Sequence, residues 1–125
     1  MPSDDETTAL VGEMRSGGAV IAAAQATQLR QVYRLAELVR AEMDAFQPTF
    51  ATAASWSRLD PGEVQSLTAH EVALTLGISR WQAGALLQQA TRLVEVLPAT
   101  LAALAAGRLD LARVRVLLEL SLIHI

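Results

Sequence analysis

Ser79, Arg80, Gln82 and Arg92 are the side chains of this chain that could read a nucleic acid. Ser79, Arg80 and Gln82 follow a glycine turn within V-A-L-T-L-G-I-S-R-W-Q-A-G-A-L over Val72 to Leu86, and Arg92 lies further along the same helix. The pattern is that of a DNA-binding helix-turn-helix, whose second helix enters the major groove by its first turns. Arg80 could then contact guanine or phosphate, and Gln82 adenine. At about 100° per residue, Trp81, Ala85, Gln88 and Arg92 share the side of this helix opposite its apolar stripe. Trp81, Ala85 and Gln88 are therefore candidates for a partner face. The DNA set is thin, because Gly84 and Ala85 are small and hold the central positions. Two helices joined by a tight glycine turn also pack this way in many α proteins with no DNA contact. Trp81 is costly to leave in water. The sequence predicts that it packs on the long N-terminal helix, on a partner, or on a part of the protein absent from this chain.

Other chemistry has no foothold. His70 precedes Glu71, but the fourth residue after His70 is Leu74, so the spacing of a His-Glu-x-x-His zinc site is missing. His70 reads as a surface residue. The carboxylates sit at helix starts and on solvent faces, with no pair placed for acid–base work. There is no nucleophile elbow, phosphate loop or dinucleotide fingerprint. The expectation is no catalytic residue, no metal and no cofactor.

These residues need helices to hold them. Ala and Leu dominate an apolar content of 52%, and β-branched residues are scattered, which favours an all-α chain. The sequence predicts a loose, disordered tail over 1–18, because Gly17-Gly18 should break any helix entering from the left. A long helix follows from about Ala19 to Phe46, with Leu29, Val32, Ala36, Val39, Met43 and Phe46 on one stripe. Arg30, Arg34, Glu37 and Arg40 fall on its solvated side. Pro48 should end it. Gln47 to Ser57 then forms a connector anchored by Phe50 and Trp56. Asp60-Pro61-Gly62-Glu63 carries the signals of a helix start. Thr68-Ala69-His70-Glu71 carries those of a capping box, which places a short helix over Ala69 to Leu76. Gly77 takes the positive φ of the turn, and small Ala73 lets two helices approach. Ser79 caps the next helix, Arg80 to about Leu97. Its stripe of Ala83, Leu86, Leu87, Ala90, Leu93, Val94 and Leu97 must face the core. Pro98 opens a helix over Ala99 to Ala106, Gly107 stops it, and Asp110 caps a last helix from Leu111 to about Leu120. The architecture is one long helix followed by a bundle of shorter helices containing a helix-turn-helix-like pair.

Length and composition bound the rest. At 125 residues, one domain is expected. There are no cysteines, which removes disulfides and thiol chemistry. All ten basic residues are Arg, and the net charge is −3. A dedicated nucleic-acid binder usually carries a basic face, so this balance weighs against tight non-specific DNA binding. The N-terminus is acidic, unlike a secretory signal, and no apolar run approaches the ~20 residues of a membrane span. A cytoplasmic protein with no membrane partner is expected.

From Leu67 onward the chain resembles a known family. E-V-A-L-T-L-G-I-S-R-W-Q-A-G-A-L-L-Q-Q-A, followed by L-P-A-T-L-A-A-L-A-A-G-R-L-D-L-A-R-V-R-V-L, is similar to the actinobacterial 13E12-repeat family. The match is most specific over Leu97 to Val116. That family is a helical domain of unknown function that commonly precedes an HNH endonuclease domain. The resemblance implies a helical domain over 19–120, incomplete at its C-terminal end, and a parent protein that cleaves DNA. It carries over no catalytic residue, since the nuclease residues would lie downstream. The abrupt Ser-Leu-Ile-His-Ile ending suggests a truncated reading frame, with 121–125 as a non-native tail. The expected function is a non-catalytic N-terminal module of an HNH-endonuclease-type protein that contributes DNA engagement. The alternative is a protein-interaction or self-association module without DNA contact. Its partners would be a second copy, or the missing C-terminal helices and nuclease domain.

Overall fold

A computed structural model of the chain describes residues 3–50 and 61–123. These residues form helices α1 (Asp4–Phe50), α2 (Pro61–Leu76), α3 (Arg80–Glu95), α4 (Pro98–Ala105) and α5 (Leu111–Ile123), with no strand among them. The chain is all-α, as its Ala and Leu content predicts. The anchoring expected of Phe50 and Trp56, and the N-cap expected of Asp60, lie outside the described residues.

The first helix corrects the sequence reading at both ends. α1 begins at Asp4, so the expected tail over 1–18 is helical from Asp4 to Gly18. Ser3 explains the start. Its Oγ accepts the Glu6 amide at 3.2 Å, and Asp4, Asp5 and Glu6 place negative charge on the positive end of the helix. Ser3-x-x-Glu6 is the pattern of a capping box. Gly17 and Gly18 cost roughly 1 kcal/mol each against Ala, which weakens a helix without breaking it. At the other end α1 passes Pro48 and is helical through Phe50, the last described residue of this stretch. Pro48 removes one hydrogen bond from α1 without ending it.

α2 is longer than the expected Ala69 to Leu76. It begins at Pro61, so Thr68 lies inside the helix rather than at a cap. Amides that a capping box at Thr68 would have satisfied already bond within the helix. The Thr68 side chain is fully buried, and its hydroxyl donates to the Val64 carbonyl at 2.7 Å. That bond satisfies a polar group which would otherwise be stranded in the core.

Packing divides the chain into two compact units. One comprises residues 29–91. Its core is built from Leu29 and Val32 of α1, Val64, Ala69, Val72 and Ala73 of α2, and Ala83, Leu87 and Ala90 of α3. Four of these nine are alanine, which lets helix backbones lie close. The predicted apolar face of the helix-turn-helix is thus buried at Val72 and Ala83, half-buried at Ile78 and Leu86, and exposed at Leu76. On the solvated side of α1, Arg34 meets Glu37 at 3.6 Å with both side chains exposed, a pair worth little.

The other unit comprises residues 1–28 and 92–125. It buries Ala22 and Ala26 of α1, Leu93 of α3, Leu101 and Leu104 of α4, and Val114 and Leu118 of α5. α3 ends at Glu95 rather than Leu97, because a residue before proline is disfavoured in helical geometry. Leu97 accordingly has φ −125 and ψ 54, and Pro98 opens α4. Gly107 ends α4 with φ +75. Its amide bonds the Leu104 carbonyl at 3.0 Å, and the Arg108 amide bonds the Ala103 carbonyl at 2.9 Å, which closes the helix end. Asp110 caps α5 as predicted, accepting the Arg113 amide at 2.8 Å. α5 continues past Leu120 to Ile123.

The two left-handed glycines should respond differently to a methyl group. Gly77, at φ +66, has open space where a Cβ would go. At Gly107 a Cβ would lie 2.7 Å from the Ala19 Cβ and 3.1 Å from its Cα. Gly77→Ala is expected to cost about 1 kcal/mol from backbone strain alone. Gly107→Ala should cost about 3 kcal/mol, because overpacking adds to the strain. Urea denaturation of both variants checks the order; equal losses would mean that the α4 stop does not press on Ala19.

Candidate recognition corner at the α2–α3 turn

The turn that presents the candidate residues is fixed from both sides. α2 closes with the Ile78 amide bonded to the Ala73 carbonyl at 3.1 Å, across Gly77. α3 opens with a reciprocal cap. The Gln82 amide donates to Ser79 Oγ at 3.0 Å, and the Ser79 amide donates to Gln82 Oε1 at 3.0 Å. Ser79 is the cap that the sequence predicts. The sequence reading missed Gln82 as its partner, although Ser-x-x-Gln is the same signal it credited to Thr68 and Glu71. Gln82 is therefore held by its carbonyl oxygen, which limits the two-point contact with adenine expected of it.

Arg80 and Trp81 occupy the exposed first turn of α3. Arg80 Nη2 reaches Ser66 Oγ of α2 at 3.4 Å, a long contact that leaves the guanidinium in solvent. Trp81 is 82% exposed, so it does not pack on α1 as one of the sequence expectations had it. Gln88 is exposed and Ala85 half-buried, so the face that begins at Trp81 narrows along α3.

Arg92 departs from this group. Its Nη2 donates to Ser121 Oγ of α5 at 2.9 Å, and Ser121 donates in turn to the Leu118 carbonyl at 2.8 Å. Its buried Nε has no hydrogen-bond partner. Arg92 thus ties α3 to α5 within its own unit and is not presented beside Arg80. The sequence could not show this, because Ser121 lies far along the chain. Of the four candidate DNA contacts, Ser79 and Gln82 cap each other, Arg92 is drawn inward, and Arg80 is left as the exposed cation.

A shallow cavity of about 360 Å³ lies between α1 and α2. Leu35, Val39, Met43 and Leu67 line it, together with Glu42, His70 and Glu71. His70 is exposed, as predicted. Among the described residues no group of His, Asp and Glu is placed to hold a metal ion, and no helix is long and apolar enough to cross a membrane.

The fold is an all-α arrangement of one long helix and four shorter ones among the described residues, with a capped glycine turn between α2 and α3. The chain belongs to the family described as a domain of unknown function, DUF222, whose model matches residues 22–120. No curated protein and no solved structure matches the chain.

The reciprocal cap makes a direct prediction. Ser79→Ala should lower stability by about 1 kcal/mol, with the denaturant slope unchanged. No loss in the denaturation midpoint would show that the α3 start is held by something other than Ser79.

Proposed function

We propose that this chain is a non-catalytic helical module of an HNH-endonuclease-type protein and contributes weak DNA engagement through the first turn of α3. The nuclease association rests on the resemblance to the 13E12-repeat family, and the DNA contact rests on the corner. The observation that carries it is the pairing of exposed Arg80 with an 82% exposed Trp81 on a helix start locked by Ser79 and Gln82. Arg80 would meet a phosphate. The Trp81 ring would lie against sugar or an unstacked base. With Arg80 the exposed cation among the four candidate contacts and a net charge of −3, the contact is auxiliary: it would orient a nuclease rather than hold the duplex by itself.

A second reading is favoured by Trp81 itself. Tryptophan and arginine are the residues that most often anchor protein interfaces, and the chain's acidity suits a protein partner better than a polyanion. In that reading the corner docks on a protein surface and DNA is never touched.

A salt titration of duplex binding by the intact chain separates the two. DNA engagement predicts weak binding, with a log–log salt slope of about −1 that vanishes in Arg80→Ala. Trp81→Ala should weaken binding while leaving the slope in place. No binding at low salt, or a slope indifferent to Arg80, would overturn the DNA reading and leave the protein-docking one.

A further inference from the structure

The first four turns of α1 stand bare. Every residue from Ser3 to Gly18 is exposed, and Gly12, Gly17 and Gly18 each weaken the helix by roughly 1 kcal/mol. An uncovered helix of this length is marginal in water. Yet Leu10, Met14 and Ile21, together with Thr7 and Gly17, recur at alternating steps of three and four. That spacing is the apolar seam of a helix that pairs with another. Leu10, Met14 and Ile21 are 58%, 69% and 60% exposed.

α5 carries a second such seam. Val114 and Leu118 are buried, while Val116, Leu117 and Leu120 are exposed on another side of the helix. Arg113, Val116, Leu117 and Leu120 follow the i, i+3, i+4, i+7 pattern of one helical stripe. The α1 arm is acidic, whereas α5 carries Arg113 and Arg115 against Glu119. The α1 arm bears Asp4, Asp5, Glu6 and Glu13 against Arg15, with Glu6 and Glu13 beside its seam. The α5 seam opens with Arg113, whose present partner is Asp110 at 2.9 Å, an exposed pair. The lengths also agree, at about 20 Å for α5 and about 22 Å for Asp4–Gly18.

We infer that a second copy of this chain covers both seams: the α1 arm of each protomer lies antiparallel on α5 of the other, with Glu13 facing Arg113. Two-fold symmetry makes the exchange reciprocal. A single helix-on-helix strip falls short of the roughly 800 Å² per partner of a standard interface. Reciprocity doubles it, because each protomer gives one strip and receives one. The pairing also supplies the cover that keeps a glycine-bearing arm helical. It uses neither Arg80 nor Trp81, so its test is independent of DNA binding.

Sedimentation equilibrium of the intact chain tests it. The expected result is a monomer–dimer equilibrium in roughly the micromolar range. Met14→Asp and Leu120→Asp should each weaken it at least about tenfold, with helical circular dichroism of the rest of the chain retained. Mixing these two variants should restore part of the association, since that pair keeps one intact strip. Glu13→Arg and Arg113→Glu should each weaken the dimer, and the double exchange should recover it. A chain that stays monomeric overturns the inference. So does a dimer indifferent to either seam, and so does one lost with Met14→Asp yet unchanged by Leu120→Asp, which would mean that the arms pair with each other.

Discussion

Two glycine residues in left-handed geometry set where the helices stop, and the rest of the molecule follows from those stops. Gly77 and Gly107 have φ of +66 and +75, a region that other residues enter only with strain. Each lets the amide of the next residue bond back to a carbonyl of the helix just finished. The chain can then reverse within a few residues and start a new helix at a capped position, Ser79 in one case and Asp110 in the other. Without the first reversal the Arg80–Trp81 corner would not be exposed. Without the second, α5 could not return against α4. Alanine completes the arrangement, since Ala19 beside Gly107 and Ala73 and Ala83 in the other unit leave room for backbones to approach.

Much of this was legible in the residues. The stripe of α3 is buried at Ala83, Leu87, Ala90 and Leu93, and its remaining predicted members Leu86, Val94 and Leu97 are half-buried. The stops at Gly77 and Gly107 and the caps at Ser79 and Asp110 stand where local chemistry puts them. The differences arise where a local signal stands apart from the rest of its helix. Thr68 and Glu71 fit a capping box by type and spacing, but an N-terminus needs free amides, and α2 has already used them. Ser3 and Glu6 fit the same pattern at a real terminus, whereas the expected tail over 1–18 rested on Gly17-Gly18 alone. A propensity cost near 1 kcal/mol per glycine is a bias against helix and no more.

The corner was less legible than the fold. Its position follows from the turn, and Ser79 and Arg80 are where the pattern places them. What their side chains do is decided partly within the pattern, at Ser79 and Gln82, and partly by serines outside it. Gln82 spends its carbonyl on Ser79, Arg80 leans toward Ser66, and Arg92 turns to a serine on α5. A hydrogen bond between residues so far apart in sequence leaves no periodic trace. The bare seams on α1 and α5 share this property. Each is visible as a stripe, but its exposure emerges only once the other faces of the same helices have found the core.

The division of the chain into units has a consequence for how it is made. Residues 29–91 form one continuous stretch, whereas the other unit joins residues 1–28 to residues 92–125. During synthesis the first segment leaves the ribosome long before the segment it packs with exists. Ala22 and Ala26 must wait, solvated, until Leu104 and Val114 have been added. The interior stretch can collapse on its own schedule, while the outer unit carries the slow, long-range closure. An acidic, well-capped opening turn suits such a wait, because charge keeps the segment dissolved without consuming the apolar face it must later bury.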